Sequence, residues 1–262
     1  MSQFLIDNSL LIVVIAVSVL GLLIPVINTR RYAPEVSPAQ ATELINRQGA
    51  QIVDVRKAAD FAKGHIANSR NIPADQIQVL SPTRRRGTGT SALNQALQAA
   101  LNPPSEEKGE RRFGDWVFRA GDRVMQTKNN YDITWERDGK EGTGIFNGDI
   151  GKILSVNLHE ENVTIDFDGR ITEYDFTQLD EIEHAYAITV HKSQGSEYPV
   201  VIIPAFSSSP RLLTRNLLYT AVTRAKDMVI IVGSERVIKD MVDNNRLVQR
   251  YTGLSFLLRS YN

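Results

Sequence analysis

Between two apolar runs, residues 185–190 and 200–204, the chain packs His191, Lys192, Ser193, Gln194, Gly195, Ser196 and Glu197 into one short polar segment. Hydroxyls, a carboxamide, an ammonium and an imidazole are hydrogen-bond donors, and a carboxylate is an acceptor. An ordinary capped turn needs one Ser to satisfy orphan N–H groups. Six polar side chains exceed that need, although the capped turn stays open as the plain alternative. A second candidate is Arg224 in "YTAVTRAK", residues 219–226. Its planar guanidinium fork pairs with an anion in a fixed geometry that a lysine lacks. The alternative is an exposed helix end. Arg84, Arg85, Arg86 and Gly87 form a basic loop after an apolar strand, read either as a phosphate contact or as a solvated charge run. Asn129, Asn130 and Tyr131 offer contacts to a single strand, Tyr131 by stacking on a base, or else an Asx turn.

These residues need elements to hold them. The segment "QVLSPTRRRGTGTSALNQALQAALNPP" predicts a short strand, a basic Gly-rich turn and an amphipathic helix. In that helix Leu93, Ala96, Leu97, Ala100 and Leu101 recur at helical spacing. From residue 113 to about 183 the period switches to two, with Asp168-Gly169 giving the strongest hairpin signal. Several short strands there predict a small barrel, SH3-like in size, with Trp116 and Trp135 in its packing. Residues 185–190, 200–204 and the run "MVIIVG", with a helix around 214–225, read as buried strands of a parallel sheet.

With 262 residues there is room for one large domain or two modest ones. The net charge is zero, so a nucleic-acid partner would have to be held by local basic patches. The absence of cysteine excludes disulfides, thiolate metal sites and cysteine nucleophiles. The four histidines show no ligand spacing, so no metal site is expected. Residues 10–27, "LLIVVIAVSVLGLLIPVI", are almost wholly apolar and are followed by Arg30 and Arg31. A stretch of about 20 such residues spans a bilayer, and the flanking charge predicts a single-pass inner-membrane anchor with everything beyond Arg31 in the cytoplasm. A buried soluble helix ending at Pro25 is the alternative.

Residues 37–73, "SPAQATELINRQGAQIVDVRKAADFAKGHIANSRNIP", resemble the first half of a rhodanese-like domain, in particular that of membrane-anchored single-domain rhodaneses; the resemblance covers roughly 1–77. The cysteine that carries sulfur in that family has no counterpart here, so sulfur transfer is excluded and Asp54, Arg56 and His65 read as structural. So short a piece is expected to bury little core.

From about residue 78 onward, "VLSPTRRRG", "GDRVMQTKNNY", "FNGDIGKI", "HKSQGSEYPVVIIP" and "RNLLYTAVTRAKDMVIIVG" occur in the order shown by RecD-like superfamily 1 DNA helicases, and the chain resembles their C-terminal part. The resemblance implies a RecA-like domain in two pieces, residues 78–125 and 184–262, around an SH3-like insertion at 126–183. It implies Arg224 as an arginine finger and Glu197 as the carboxylate on a ribose hydroxyl of the nucleotide. Gln194 and Gly195 would couple nucleotide to DNA, with Arg85 a further nucleotide contact. His191, Ser193, Thr189, Asn130 and Tyr131 would contact DNA. The parent activity implied is ATP- and Mg2+-dependent 5′ to 3′ unwinding.

A complete motor also needs a phosphate-cradling G-x-x-x-x-G-K-[ST] loop and a strand ending in acidic residues. Neither occurs: in "GIFNGDIGKI" Phe146 stands where the first Gly belongs and Ile153 where Ser or Thr does. The expectation is therefore an α/β chain in three parts: a transmembrane helix at 1–31, a truncated rhodanese-like segment at 36–77, and the helicase C-terminal portion. That portion would carry half of an ATP site, and another polypeptide would supply the N-terminal RecA-like domain. A membrane-tethered single-stranded DNA-binding module without turnover and a fusion with no function of its own are the alternatives.

Overall fold

In the computed structural model the described residues are 36–85, 87–206, 212–245 and 253–260. The chain divides into two compact units, one of Met1–Asp54 and Phe61–Asn71, the other of Val55–Asp60 and Ile72–Asn262.

Helix α1, Pro38–Gln48, opens with a capping box: Ser37 Oγ accepts the Gln40 N–H at 3.3 Å, and Gln40 Oε1 accepts the Ser37 N–H at 3.0 Å. Strand β1, Val53–Asp54, pairs in parallel with β2, Arg70–Asn71, with helix α2, Ala58–Lys63, between them in sequence. His65 stacks on Phe61 with ring centroids 3.8 Å apart. Neither α1 nor α2 buries a residue, in keeping with a segment too short to own a core.

The larger unit is built on two sheets. Strand β3, Ile77–Ser81, lies inside a parallel sheet of order β13-β3-β14-β15, where β13 is Ala187–Thr189, β14 Tyr198–Ala205 and β15 Ala225–Gly233. Leu80, Ile188, Val201 and Ile203 are buried between this sheet and helices α4, Arg215–Val222, and α5, Glu235–Asp243. Helix α6, Leu254–Ser260, ends the described chain. The uniformly apolar runs thus form the parallel sheet they predicted, with one difference. β15 pairs only with β14 among the described residues, and Ile231 and Val232 on it are 44% and 47% exposed.

The second sheet is antiparallel, of order β12-β6-β9-β10-β11-β7-β8. Its strands are β6, Arg123–Gln126; β7, Asn130–Arg137; β8, Lys140–Ile145; β9, Ile150–Asn157; β10, Asn162–Phe167; β11, Arg170–Asp175; and β12, Ile182–His184. Ile182 and Ile145, from its two outermost strands, share one core with Ile153, Val163, Ile165 and Phe167, so the sheet curls around its own interior. Trp116 and Trp135 pack against that core. Asp168 and Gly169 have φ of 56° and 82°, both positive as a two-residue hairpin turn requires. A hairpin of β4, Glu110–Phe113, and β5, Trp116–Arg119, precedes it. β6 belongs to this sheet, so the barrel starts earlier than residue 126.

Helix α3, Thr90–Leu101, differs from its expected polarity. Its inward side is a polar row, with Asn94 and the C-cap Asn102 buried and Gln98 half-buried, while Leu101, on the apolar stripe, is 51% exposed. The reason is a buried carboxylate. Asp122, wholly inaccessible, accepts hydrogen bonds from Gln98 Nε2 (2.6 Å), Asn102 Nδ2 (2.7 Å), the Arg119 N–H (2.9 Å) and Tyr186 Oη (2.9 Å), and faces His184 Nε2 at 3.2 Å. Asn94 extends the row, its side chain bridging the carbonyls of His184 and Ala187 and accepting the Ala187 N–H.

The transmembrane helix is a correction. Among the described residues no helix is long and apolar enough to cross a membrane, and the run 10–27 lies outside them. The fold of the described residues is α/β.

Burial pushes the Asp122 carboxyl up, but its hydrogen bonds from His184 and Asn102 outweigh that and hold it below the ordinary carboxylate range. A depressed carboxyl contributes stability that is present above the unfolded-state value of about 3.9 and is lost as pH falls through the lower folded value. Asp122→Asn should cost about 1–3 kcal/mol near neutral pH, the scale of leaving buried hydrogen-bond donors unsatisfied. Urea titrations should show that deficit shrinking below about pH 4.

Candidate functional site

The polar segment 190–197 exists because the sheet demands an unusual connection. β13 ends at Thr189, level with Ser81, while β14 begins two residues before Val200, which is level with Ile77. Both strands run parallel to β3, so the chain must travel back along the sheet, and it does so without a helix. Thr189 fastens the start: its carbonyl accepts the N–H groups of Lys192 (2.9 Å) and Ser193 (3.2 Å), and its hydroxyl lies 3.3 Å from the Lys192 N–H. Ser193 is fully buried and its hydroxyl donates to the Val190 carbonyl at 2.8 Å. Gly195 takes φ 88°, open to glycine and costly to other residues. Thr189 and Ser193 therefore build the turn, and their side chains are committed to it. His191 and Gln194 are exposed.

The turn delivers the chain to Arg224. Thr214 caps α4 by accepting the Leu217 N–H at 3.3 Å, the helix ends at Val222, and Arg224 enters β15. The Tyr198 N–H donates to the Arg224 carbonyl at 2.8 Å, and Arg224 Nη1 donates back to the Ser196 carbonyl at 3.1 Å. Its Nε is buried without a partner among the described residues. Glu197 sits 3.7 Å from Lys226, both exposed. The structure thus joins Arg224, Ser196 and Glu197 where β14 and β15 begin.

The basic loop lies elsewhere, at the carboxyl end of β3. Ser81 Oγ donates to the Thr88 carbonyl at 2.7 Å and closes the loop. Arg85 is exposed, and Arg86 lies outside the described residues. Arg84 pairs with Glu183 at 3.0 Å, and Lys192 of the turn forms an ion pair with the other oxygen of the same carboxylate. Glu183 was not singled out in the sequence, and nothing local marks it: Arg84 is 99 residues away.

On the barrel, Asn130 and Tyr131 have different fates. Asn130 Oδ1 accepts the N–H groups of Asp132 and Ile133, and its Nδ2 donates to Glu181, so it is the Asx turn. Tyr131 is 65% exposed and meets Phe146 edge-on, with centroids 5.6 Å apart and planes at 70°. Phe146, 41% exposed, completes an aromatic ledge. Among the described residues no cluster of three His, Asp or Glu side chains could hold a metal ion.

Three family models match the chain. They are a rhodanese-like domain over residues 37–109, an ATP-dependent RecD-like DNA helicase SH3 domain over 93–167, and a UvrD-like helicase C-terminal domain over 184–232. The ATP-dependent RecD2 DNA helicase of Deinococcus radiodurans is 38% identical over 60% of this chain and 20% of its own length. The RecBCD enzyme subunit RecD of Mycolicibacterium smegmatis is 34% identical over 71% of this chain and 30% of its own. The chain therefore spans less than a third of either relative. A solved structure titled "Structural Basis for DNA Unwinding at Forked dsDNA by two coordinating Pif1 helicases" matches 71% of this chain and 44% of its own, at 18% identity and a TM-score of 0.42. That likeness is too loose to compare positions. The rhodanese match runs through β3, which in the structure is an inner strand of the parallel sheet.

Gly195→Ala should destabilise the larger unit by about 1–2 kcal/mol from backbone strain alone, because nothing lies within 4 Å of the added Cβ. Thermal melts should show Gly195→Asn recovering part of that loss, since Asn tolerates the left-handed region.

Proposed function

We propose that this chain, which joins a rhodanese-like segment to the C-terminal portion of a RecD-like helicase, contributes the second half of a nucleotide-driven DNA motor. In this reading Arg224 is the finger that meets the transferring phosphoryl group, and Glu197 takes the ribose. The turn 190–197 relays that engagement to a single strand lying over His191, Gln194 and the barrel ledge of Tyr131. The observation that carries the reading is the bond from Arg224 Nη1 to the Ser196 carbonyl. A guanidinium anchored on the turn cannot move toward a phosphate without disturbing the residues that precede it. Its Nε is buried without a partner among the described residues, a donor that the present arrangement leaves unsatisfied. The ATP and magnesium that the family uses find half of their site here. The nucleotide has Arg224, Glu197 and Arg85 to meet, whereas magnesium has no ligand set among the described residues. Its ligands and the phosphate cradle belong to a first motor domain on another polypeptide.

A second reading, a single-stranded DNA-binding module without turnover, is favoured by the missing cradle. One set of assays separates them. The purified chain alone should show no ATP hydrolysis above blank, with or without single-stranded DNA. Mixed with the N-terminal RecA-like domain of a RecD-like helicase, it should hydrolyse ATP in a DNA-stimulated manner. Arg224→Ala should lower that turnover by about 10³-fold or more, as loss of a finger does. Binding that falls with salt and ignores nucleotide, with no turnover in the mixture, would leave the binding module.

Glu183 makes a further prediction. Its two ion pairs are partly exposed and should be worth about 1 kcal/mol or less each, so Glu183→Gln should barely change the melting temperature. It frees Arg84 and Lys192, and oligonucleotide affinity should rise. The log–log salt dependence should steepen by about 0.7 for each cation that then meets a phosphate.

A further inference from the structure

A cleft of about 210 Å³ opens between the turn and the start of α4. We infer that it takes one unpaired nucleobase, entering edge first; the inference rests on the reading of the chain as a single-strand binder. The volume equals that of about seven waters at liquid density and falls short of the roughly 300 Å³ at which drug-sized ligand pockets begin. One ring system fits, and a whole nucleotide does not. The walls are the carboxamides of Gln194 and Asn216, the hydroxyls of Thr214 and Thr220, and the imidazole of His191. Val190 and Leu217 add apolar surface for a ring face.

No Lys, Arg, Asp or Glu lines the cleft. A phosphate drawn inside would lose its hydration without a counter-charge, so the ligand chemistry is neutral and polar. The available groups include both donors and acceptors, as base edges do. Each carboxamide offers two donors and an acceptor, and neither is engaged with another described residue. Thr220 has spent its proton on the Asn216 carbonyl at 2.8 Å and presents an acceptor. Thr214 accepts the Leu217 N–H and keeps its proton to donate. Carboxamides pair bidentately with adenine, and unpaired bases splayed from a strand are read in this way. A strand's phosphates would have to compete with Glu183 for Lys192 on the same turn while the base enters beside His191.

Two measurements test this. In the first, 2′-deoxyadenosine, which has no phosphate, is titrated into the whole chain while the side-chain amide resonances of Gln194 and Asn216 are followed. In the second, anisotropy compares a short abasic deoxyribose-phosphate strand with the same strand carrying one central adenine. The expected results are shifts of both amides and about tenfold tighter binding of the adenine strand, within the discrimination of one bidentate contact. Asn216→Ala and, from the opposite wall, Gln194→Ala should each erase the difference, with the remaining spectrum showing an unchanged fold. Equal binding of the two strands with unmoved amides overturns the base pocket and leaves single-strand binding standing. Amide shifts without strand binding support the pocket and overturn the single-strand reading. Silence in both overturns both.

Discussion

A carboxylate removed from water must be surrounded by donors or be protonated, and the larger unit is arranged around that requirement at Asp122. Its donors come from α3 and its C-cap, from the end of β5, from β12 and from the residue before β13. Helix, barrel and parallel sheet therefore meet at one buried charge. Removing any donor leaves an oxygen without its share of compensation, so the parts are held in one arrangement. The turn 190–197 starts a few residues beyond this cluster, and its starting position is inherited from it.

The same constraint explains where sequence reasoning succeeded and where it did not. The Asp168-Gly169 hairpin is legible because its chemistry is local: two positive φ angles, two residues suited to them. The inner strands β3 and β14 are legible because burial on both faces leaves no alternation to read. Helix α3 misleads because the apolar stripe obeys helical spacing while Asn94, Gln98 and Asn102, one helical turn apart, look like a solvent face. Their partners are elsewhere in the chain, Asp122 lying 24 residues from Gln98 and His184 lying 90 from Asn94. β15 reads as buried because "MVIIVG" carries no sign of which flank lacks a neighbour.

In the candidate site, residue types were legible and their division of labour was not. Ser193 and His191 are two positions apart and equally polar, yet one is sealed into the turn and the other faces solvent. Direction in a tight turn follows from backbone hydrogen bonds, which composition does not reveal. Glu183 was invisible for the opposite reason, since an isolated acid on a short strand acquires meaning only from the two cations it holds.

The position of β3 also orders events in time. Its strand neighbours are β13 and β14, and the Gln78 side chain reaches the carbonyls of Ala185 and Tyr186, 107 and 108 residues later. Closing so long a segment before any contact rewards it is entropically unfavourable. The hairpins of the curled sheet close only short segments, and once they form, the pairing of β12 with β6 draws residue 184 back beside residue 124. The barrel thus acts as an internal clasp during synthesis. Strand β3, though made early, must wait as an unpaired apolar segment until the clasp delivers β13 to its flank.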